Sequence, residues 1–391
     1  MQDGLRVLLL NWRDSGHPEG GGAESFCERV ASGLAELGHE VTIRCARYPG
    51  AAADEVIEGV GHVRRGGRFT VYPRAAVALG RRRDVDIVLD VQNGMPFWAP
   101  LFTRAVVVNV THHLHREQWS AVFGPVLGRI GWWLESRLAP RVYRRCRYLT
   151  VSEASRADLV AVGVDADRIG VVYNGLDAPV LPADSAGWPR SPQPSIVVLG
   201  RLVPHKRVEL AIDALAELPD TTLTVVGHGY WESTLQAHAR RLGVTDRVRF
   251  AGCVDDVTKH RLLAAAWVHA LPSVKEGWSL AVVESAAHGT PTVAFRSAGG
   301  PTESVRDGET GLLVDEVPAF AAALRRLLTD AALRDAMGRA ARAHGARFSW
   351  PATAAAVEAE LRSLTGLPPR PAVPIPAPRR PADPPSIEVA G

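Results

Sequence analysis

Four side chains in the second half of the chain have the types and spacing to hold a phosphorylated sugar. Arg201 and Lys206 follow the apolar run Val197-Val-Leu-Gly200, and Glu276 and Glu284 both lie in Lys275-Glu-Gly-Trp-Ser-Leu-Ala-Val-Val-Glu284. The run ends at Gly200 and a helical period of Val208, Ile212 and Leu215 follows, which puts both cations at the carboxyl end of a strand, where ligands of open parallel sheets collect. Two positive charges beside a helix amino terminus suit a diphosphate. A solvated loop with two surface charges is the plain alternative.

The glutamates cannot form an adjacent pair. Glu276 falls in a loop, whereas Glu284 lies more than a turn inside a helix of about Ser279 to Ala287 that His288-Gly289 and Pro291 end. A carboxylate accepts two hydrogen bonds from vicinal hydroxyls, so one glutamate can grip a hexose and the other a ribose. Equally, Glu276 can be a first-turn acid and Glu284 an exposed helical position. Gly277 allows a backbone to approach a ligand closely, and the amides that follow sit at a positive helix end.

Earlier in the chain, Asn109-Val-Thr-His-His-Leu-His-Arg-Glu-Gln-Trp119 gathers three histidines behind a strand. Contact with a substrate, core packing and zinc binding compete there, although the i, i+1, i+3 spacing is not a usual ligand pattern. Asp84-Val-Asp86 spells a divalent-ion motif but precedes its strand, at the end away from the expected site. The loop Gly20–Gly22 lacks the G-x-G-x-x-G of a dinucleotide fold, and the preceding turn is too long for one. Arg137, Arg141, Arg144, Arg145 and Arg147 make a basic face that either meets anionic lipid head groups or is simply solvated. Trp98, Trp119, Trp132 and Trp133 line an acceptor channel or pack in the core.

The elements that must position these residues follow a βαβ rhythm. Arg6–Leu10, Glu40–Arg44, Ile87–Leu89, Ala105–Val110 and Tyr148–Val151 read as strands, with a helix from about Ala23 to Leu37 ended by Gly38. After a proline-rich stretch the rhythm restarts with Ser195–Leu199, Thr222–Val226, Arg247–Ala251, Val268–Leu271 and Thr292–Phe295. This predicts an α/β chain of two Rossmann-like domains, residues 1–178 and 195–348, joined by a linker over 179–194. A final helix over 349–365 takes Ser349 as its N-cap. The tail 366–391, dense in proline, is expected to be disordered.

At 391 residues two cores are the default, and 46% apolar residues, 22% charged and a net charge of +3 describe an ordinary globular enzyme with no nucleic-acid signal. Lys206, Lys259 and Lys275 are the only lysines; the arginine and alanine bias suggests a GC-rich bacterial genome. The four cysteines show no C-x-x-C pairing. The first ten residues lack a basic leader and no long apolar run occurs, so a cytoplasmic enzyme is expected, with peripheral contact at the inner face of the plasma membrane as an addition.

The order Gly-Arg-Leu-x-x-x-Lys, Glu-x7-Glu and Gly-x-Pro-x-Val-Ala resembles the retaining glycosyltransferases of family 4, which have the GT-B fold. Gly20-Gly-Gly-Ala-Glu24, Val151-Ser-Glu-Ala-Ser-Arg156, Tyr173-Asn-Gly-Leu-Asp177, Val226-Gly-His-Gly229, Ala298-Gly-Gly-Pro-Thr-Glu303 and Asp307-Gly-Glu-Thr-Gly-Leu-Leu-Val314 extend the likeness over nearly the whole chain. The resemblance implies two facing doubly wound domains, with the last helix crossing back to the first.

It further implies a UDP- or GDP-linked sugar as donor, no cofactor or metal, and an acceptor of unspecified kind: an envelope lipid, a polysaccharide or a small metabolite. Arg201 and Lys206 would bind the diphosphate, Glu276 the sugar and Glu284 the ribose. Gly21 and Gly22 would line the opposite wall, and Gly277, Trp278, Ser279 and Leu280 would line the donor side. Gly277-Trp278-Ser279 departs from the family pattern, where many relatives have a Pro or Gly and then Phe-Gly, and the larger Trp278 would narrow the sugar pocket. His112, favoured over His113, would lie near the transferred sugar. An epimerase or hydrolase of like architecture, or a non-catalytic nucleotide-sugar binder, would carry the same features.

Overall fold

The structure, a computed structural model, describes residues 4–177 and 188–370. The first domain runs β1 (Arg6–Leu10), α1 (Gly22–Glu36), β2 (Glu40–Cys45), β3 (Asp54–Ile57), β4 (Val60–Arg64), α2 (Val71–Arg81), β5 (Ile87–Val91), β6 (Val106–Val110), α3 (Arg116–Trp133), α4 (Ala139–Val142), β7 (Arg147–Thr150), α5 (Glu153–Ala161) and β8 (Ile169–Val171). Its eight strands take the order β3-β4-β2-β1-β5-β6-β7-β8, parallel except for the β3–β4 hairpin. Every residue of β5 and four of the five in β1 are buried, as expected of strands covered on both faces.

The second domain runs β9 (Ser195–Leu199), α6 (Glu209–Ala216), β10 (Thr222–Val226), α7 (Glu232–Arg241), β11 (Val248–Gly252), α8 (Asp256–Ala265), β12 (Val268–Leu271), α9 (Leu280–Ala287), β13 (Thr292–Phe295), α10 (Pro301–Ser304), β14 (Gly311–Val314), α11 (Val317–Thr329) and α12 (Ala331–Gly345). Its six strands are parallel in the order β11-β10-β9-β12-β13-β14. In both sheets the order reverses beside a central strand, β1 and β9, which is where such folds open a crevice at the strands' carboxyl ends.

The last helix, α13 (Trp350–Thr365), starts from Ser349, whose hydroxyl accepts from the Ala352 amide, and ends at Gly366 in a left-handed conformation (φ 71°). It packs along α1, with Val357 and Leu361 in the same core as Phe26, Val30 and Leu34. Glu358 holds the buried His39 at 3.0 Å. The chain therefore does cross back to the first domain.

The sequence reading missed β3, β4, β8 and β14. The first two form a short hairpin at the sheet's edge, joined through Glu58 and Gly59, both at positive φ, and the edge strand β3 is largely exposed, so no apolar alternation marks it. The described ends of the expected linker and tail are each held by an arginine. Arg190 donates to the carbonyls of Ala264, Ala266, His288 and Gly289 and to Thr290, fixing the end of the linker stretch onto the second domain. Arg370 pairs with Glu358 at 2.7 Å, holding the start of the tail against the first domain. Residues 179–187 and 371–391 of those two predicted segments lie outside the described residues.

Candidate active site

Glycine-bearing loops of the two domains approach each other closely where the domains meet, at the cleft. Gly21 opens α1, and a Cβ there would stand 3.6 Å from Arg201 Nε of the second domain; one on Gly22 would stand 3.3 Å from Leu280 Cδ1. The loop is shaped from behind by Glu24, which accepts from the Gly21 amide at 2.8 Å and pairs with Arg13 at 2.9 Å. Arg13, itself buried, thus stands behind this loop, close enough for its charge to act on Arg201 of the opposite domain. Protein packed around the Arg201 guanidinium, together with the Arg13 charge, lowers its pKa from the usual 12.5, although its surface remains open to solvent.

Lys206 Nζ lies 2.6 Å from Glu276 Oε1. Burial pushes the Glu276 pKa up, but the Lys206 ammonium, the Ser273 hydroxyl and His205 outweigh it and hold the carboxylate below its ordinary 4.5. The backbone around Glu276 is fixed by its amide on Ala298 O (2.8 Å) and its carbonyl under the Gly300 amide (3.2 Å). Glu284, on α9, is held by Lys259 at 2.9 Å, and Lys259 also reaches Asp256 at 2.9 Å. Burial lowers the Lys259 pKa and the two carboxylates raise it more, so it stays cationic. The structure thus brings Lys206 and Glu276 together and sets Glu284 apart, on the helix that the loop leads into.

Between them, Ser279 caps α9 with φ 76°, a left-handed conformation that a residue with a Cβ adopts at a cost. At the start of α9 the Leu280 side chain packs against Gly22 of the first domain, so the positive end of this helix lies at the junction of the two domains. Gly277 packs so closely that a Cβ would lie 2.6 Å from His112 O.

Trp278 corrects an expectation. Its indole is 2% exposed and packs on Tyr173 (4.8 Å) and Phe348 (4.9 Å), joining the first domain's core rather than narrowing a sugar pocket. Burial of so large an apolar surface decides its direction. Only its backbone remains near the loop.

The three histidines do not converge on one point. The His112 ring sits edge-on to Phe26 at 4.9 Å, neither ring nitrogen has a hydrogen-bond partner, and burial lowers its pKa to about 4. His113 is also pushed well below 6.5, first by burial and then by neighbours that include Lys206 and His205 of the second domain. His115 is held by Glu135 at 3.0 Å, which also accepts from Trp119 Nε1 at 2.7 Å.

Among the described residues the group with metal-ligand spacing is Asp14, Glu28 and His62, outside this cleft. There burial raises the Asp14 pKa, but His62 and Arg64 bring it to about 2, so a guanidinium already holds that carboxylate. Asp84 and Asp86 pair with Arg82 and Arg6 at the amino end of β5, on the far side of the sheet. Arg147 leaves the predicted basic face, since it pairs with Glu360 of α13 at 2.9 Å. Trp119 and Trp132 are packed, whereas Trp133 is exposed.

Two groups escaped the sequence reading. Arg13 sits in an irregular turn with no motif to mark it. Glu303 accepts from the amides of Glu153 and Ala154, 2.9 Å each, capping α5 of the opposite domain. Lys275 adds a second bridge across the domains, to Asp158 at 2.5 Å.

Residues 180–344 match the family described as Glycosyl transferases group 1, and residues 20–179 that described as Glycosyltransferase Family 4. A GDP-mannose-dependent alpha-(1-6)-phosphatidylinositol monomannoside mannosyltransferase of Mycolicibacterium smegmatis is 32% identical over 361 residues, covering 85% of this chain and 92% of that one. The fold is shared with sucrose-phosphate synthase of Thermosynechococcus elongatus (TM-score 0.81, 21% identity, 93% and 99% coverage). It is shared too with Anabaena HepE in complex with UDP-glucose (TM-score 0.72, 20% identity, 92% and 100% coverage). Among the described residues no helix is long and apolar enough to cross a membrane.

Proposed function

From the premise that this chain belongs to the family 4, group 1 glycosyltransferases, with the GT-B fold, we propose that it moves a hexose-type sugar from a UDP- or GDP-linked donor to an acceptor hydroxyl with retention at the anomeric carbon. The observation that carries the reading is the Lys206–Glu276 pair, with Arg201 nearby, set opposite the Gly21–Gly22 loop.

Breaking the sugar–phosphate bond builds negative charge on the departing diphosphate. Arg201, Lys206 and the amino end of α9 stabilise that charge, without a metal ion. Glu276 holds hydroxyls of the sugar and Glu284 those of the ribose. The departing phosphate takes the proton of the acceptor hydroxyl on the same face that it leaves, so no separate base is needed. Closure of the domains excludes water, whose attack would waste the donor.

HepE with UDP-glucose and the GDP-mannose-dependent relative support a nucleotide-sugar donor, and the latter's lipid acceptor favours an envelope lipid among the three acceptor classes. The test is a thermal-shift panel of UDP- and GDP-sugars, followed by nucleoside-diphosphate release with and without a phosphoinositide acceptor. Acceptor-dependent release supports transfer. Release that ignores every acceptor would point to hydrolysis instead.

A further inference from the structure

The segment between the histidine cluster and α4 is not one straight helix. Within α3, Gly124 has φ 74° and ψ 176° and Pro125 follows, so the chain breaks there. It folds back so tightly that a Cβ on Gly128 would lie 2.7 Å from Ser120 Cα, and one on Gly131 would strike the Trp119 ring. The result is a helical hairpin with Val122–Leu127 at its tip. Its base abuts the Pro204–Lys206 turn of the cleft.

This hairpin shows its apolar side to solvent. Val122 is 52% exposed, Val126 69%, Leu127 59%, Ile130 51% and Trp133 53%. Phe69, 67% exposed, extends the patch, because Arg68 stands 5.8 Å from both the Phe69 and Phe123 rings. Scattered exposed apolar residues need no explanation, but five on one projection with a sixth beside it do.

Charge says what covers it. Residues 118–128 carry no charge, whereas the stretch 116–145 holds six arginines, Arg116, Arg129, Arg137, Arg141, Arg144 and Arg145, and two glutamates. All six arginines are exposed, while Glu135 is buried on His115 and Trp119. An uncharged apolar tip with a rim of arginine matches an anionic bilayer, whose phosphates meet the guanidinium groups while the tip enters the acyl boundary. A second copy of the chain would bring the same positive rim against itself.

We infer that the hairpin at Arg116–Trp133 docks this protein on an anionic lipid bilayer, inserting Val122, Val126 and Leu127 and turning the cleft at its base toward the membrane surface. The inference stands on the hairpin and its charge, independently of the donor chemistry proposed above.

The test is cosedimentation of the full chain with phosphatidylcholine vesicles, with and without phosphatidylglycerol. Binding to the anionic vesicles is expected to exceed that to the neutral ones by about tenfold or more, and to weaken with salt. Val126→Asp with Leu127→Asp, and separately Arg129→Glu with Arg137→Glu, should each lower it by about tenfold while the melting temperature holds. A blue shift of tryptophan emission on binding, lost in Trp133→Phe, would mark insertion. Equal binding to both vesicles, or variants that bind as the wild type does, would overturn the inference. So would a dimer in sedimentation velocity that Leu127→Asp dissolves, with no vesicle binding.

Discussion

Lys206 Nζ and Glu276 Oε1, 2.6 Å apart though 70 residues apart in sequence, behave as one unit, because neither the buried carboxylate nor the cleft cation has its proper environment without the other. Arg201, whose charge interacts with Glu276, adds a second cation beside the pair.

Removing the cation should therefore hurt both chemistry and stability. Lys206→Ala loses charge stabilisation of the departing phosphate, for an expected fall in turnover of about two orders of magnitude or more. It also leaves Glu276 buried without its ion-pair partner, at a cost of about 1–3 kcal/mol. The pH dependence has a definite sign. The Glu276 pKa is held below 4.5 in the folded protein, so its contribution to stability is present above the ordinary carboxylate range and is lost as pH falls through the folded value. Denaturant titrations should show Lys206→Ala destabilised at neutral pH and nearly matched to the wild type in acid. Near-normal turnover in this variant would remove Lys206 from the mechanism.

The two glutamates should separate kinetically. Glu284 sits on α9 and is tied to Lys259, away from the Lys206 turn, so Glu284→Gln should raise the dissociation constant for a nucleoside diphosphate about tenfold. Glu276→Gln should leave nucleotide binding nearly intact and lower kcat instead. Calorimetry with the diphosphate and steady-state rates with the sugar donor distinguish the two. Equal effects on both measurements from both variants would mean that they act as a single structural unit.

The β1-α1-β2 unit and the restart at β9 were legible because buried parallel strands and a 3.6-residue period leave direct traces, and Gly38 does take the left-handed conformation its place implied. What was not legible depends on partners distant in sequence. Nothing in Ala298–Glu303 announces that Glu303 caps α5, 150 residues earlier. The direction of Trp278 was misread for the same reason, since a loop tryptophan beside a proposed ligand site looks like a wall of it until Tyr173 and Phe348 come into view. Arg190 stands in a proline-rich stretch whose composition suggests a linker, yet its guanidinium finds four carbonyls at the ends of α8 and α9.

Glu303 gives a test of how the domains are held. Its carboxylate satisfies two amides at the start of α5 and interacts with the helix dipole, while Ser152 caps the Ser155 amide from within the first domain. Glu303→Ala should cost about 1 kcal/mol and, because the lost contact spans the cleft, should broaden the interdomain distance distribution. Thermal unfolding and small-angle scattering read these two effects. A lower melting temperature with unchanged scattering would limit Glu303 to a local cap.

Ser279 stores backbone strain at φ 76°, where glycine would sit without penalty. Ser279→Gly should stabilise the protein by up to about 1 kcal/mol, whereas Ser279→Val, branched at Cβ, should destabilise it by more. The urea midpoint should move in opposite directions for the two with an unchanged slope.

Gly277 and Gly21 make the sharpest contrast, because each lies on the cleft but only one is tightly packed. A Cβ on Gly277 would stand 2.6 Å from the His112 carbonyl oxygen and 3.3 Å from Val151 Cγ2, and a backbone carbonyl cannot swing aside as a flexible side chain can. A Cβ on Gly21 meets Arg201 Nε at 3.6 Å and Glu24 Oε2 at 3.7 Å, ordinary van der Waals distances. Gly277→Ala should therefore force the domains apart near His112, lowering kcat by about tenfold or more while each sheet stays folded. Gly21→Ala should leave the melting temperature almost unchanged and raise only the apparent KM for the donor, since the methyl group takes up cleft space without moving a wall. Scattering profiles and donor kinetics on the two variants decide it: an open Gly277→Ala beside a closed Gly21→Ala is expected. If both remain closed with equal kinetics, the approach of Gly277 to His112 does not set the working distance between the domains.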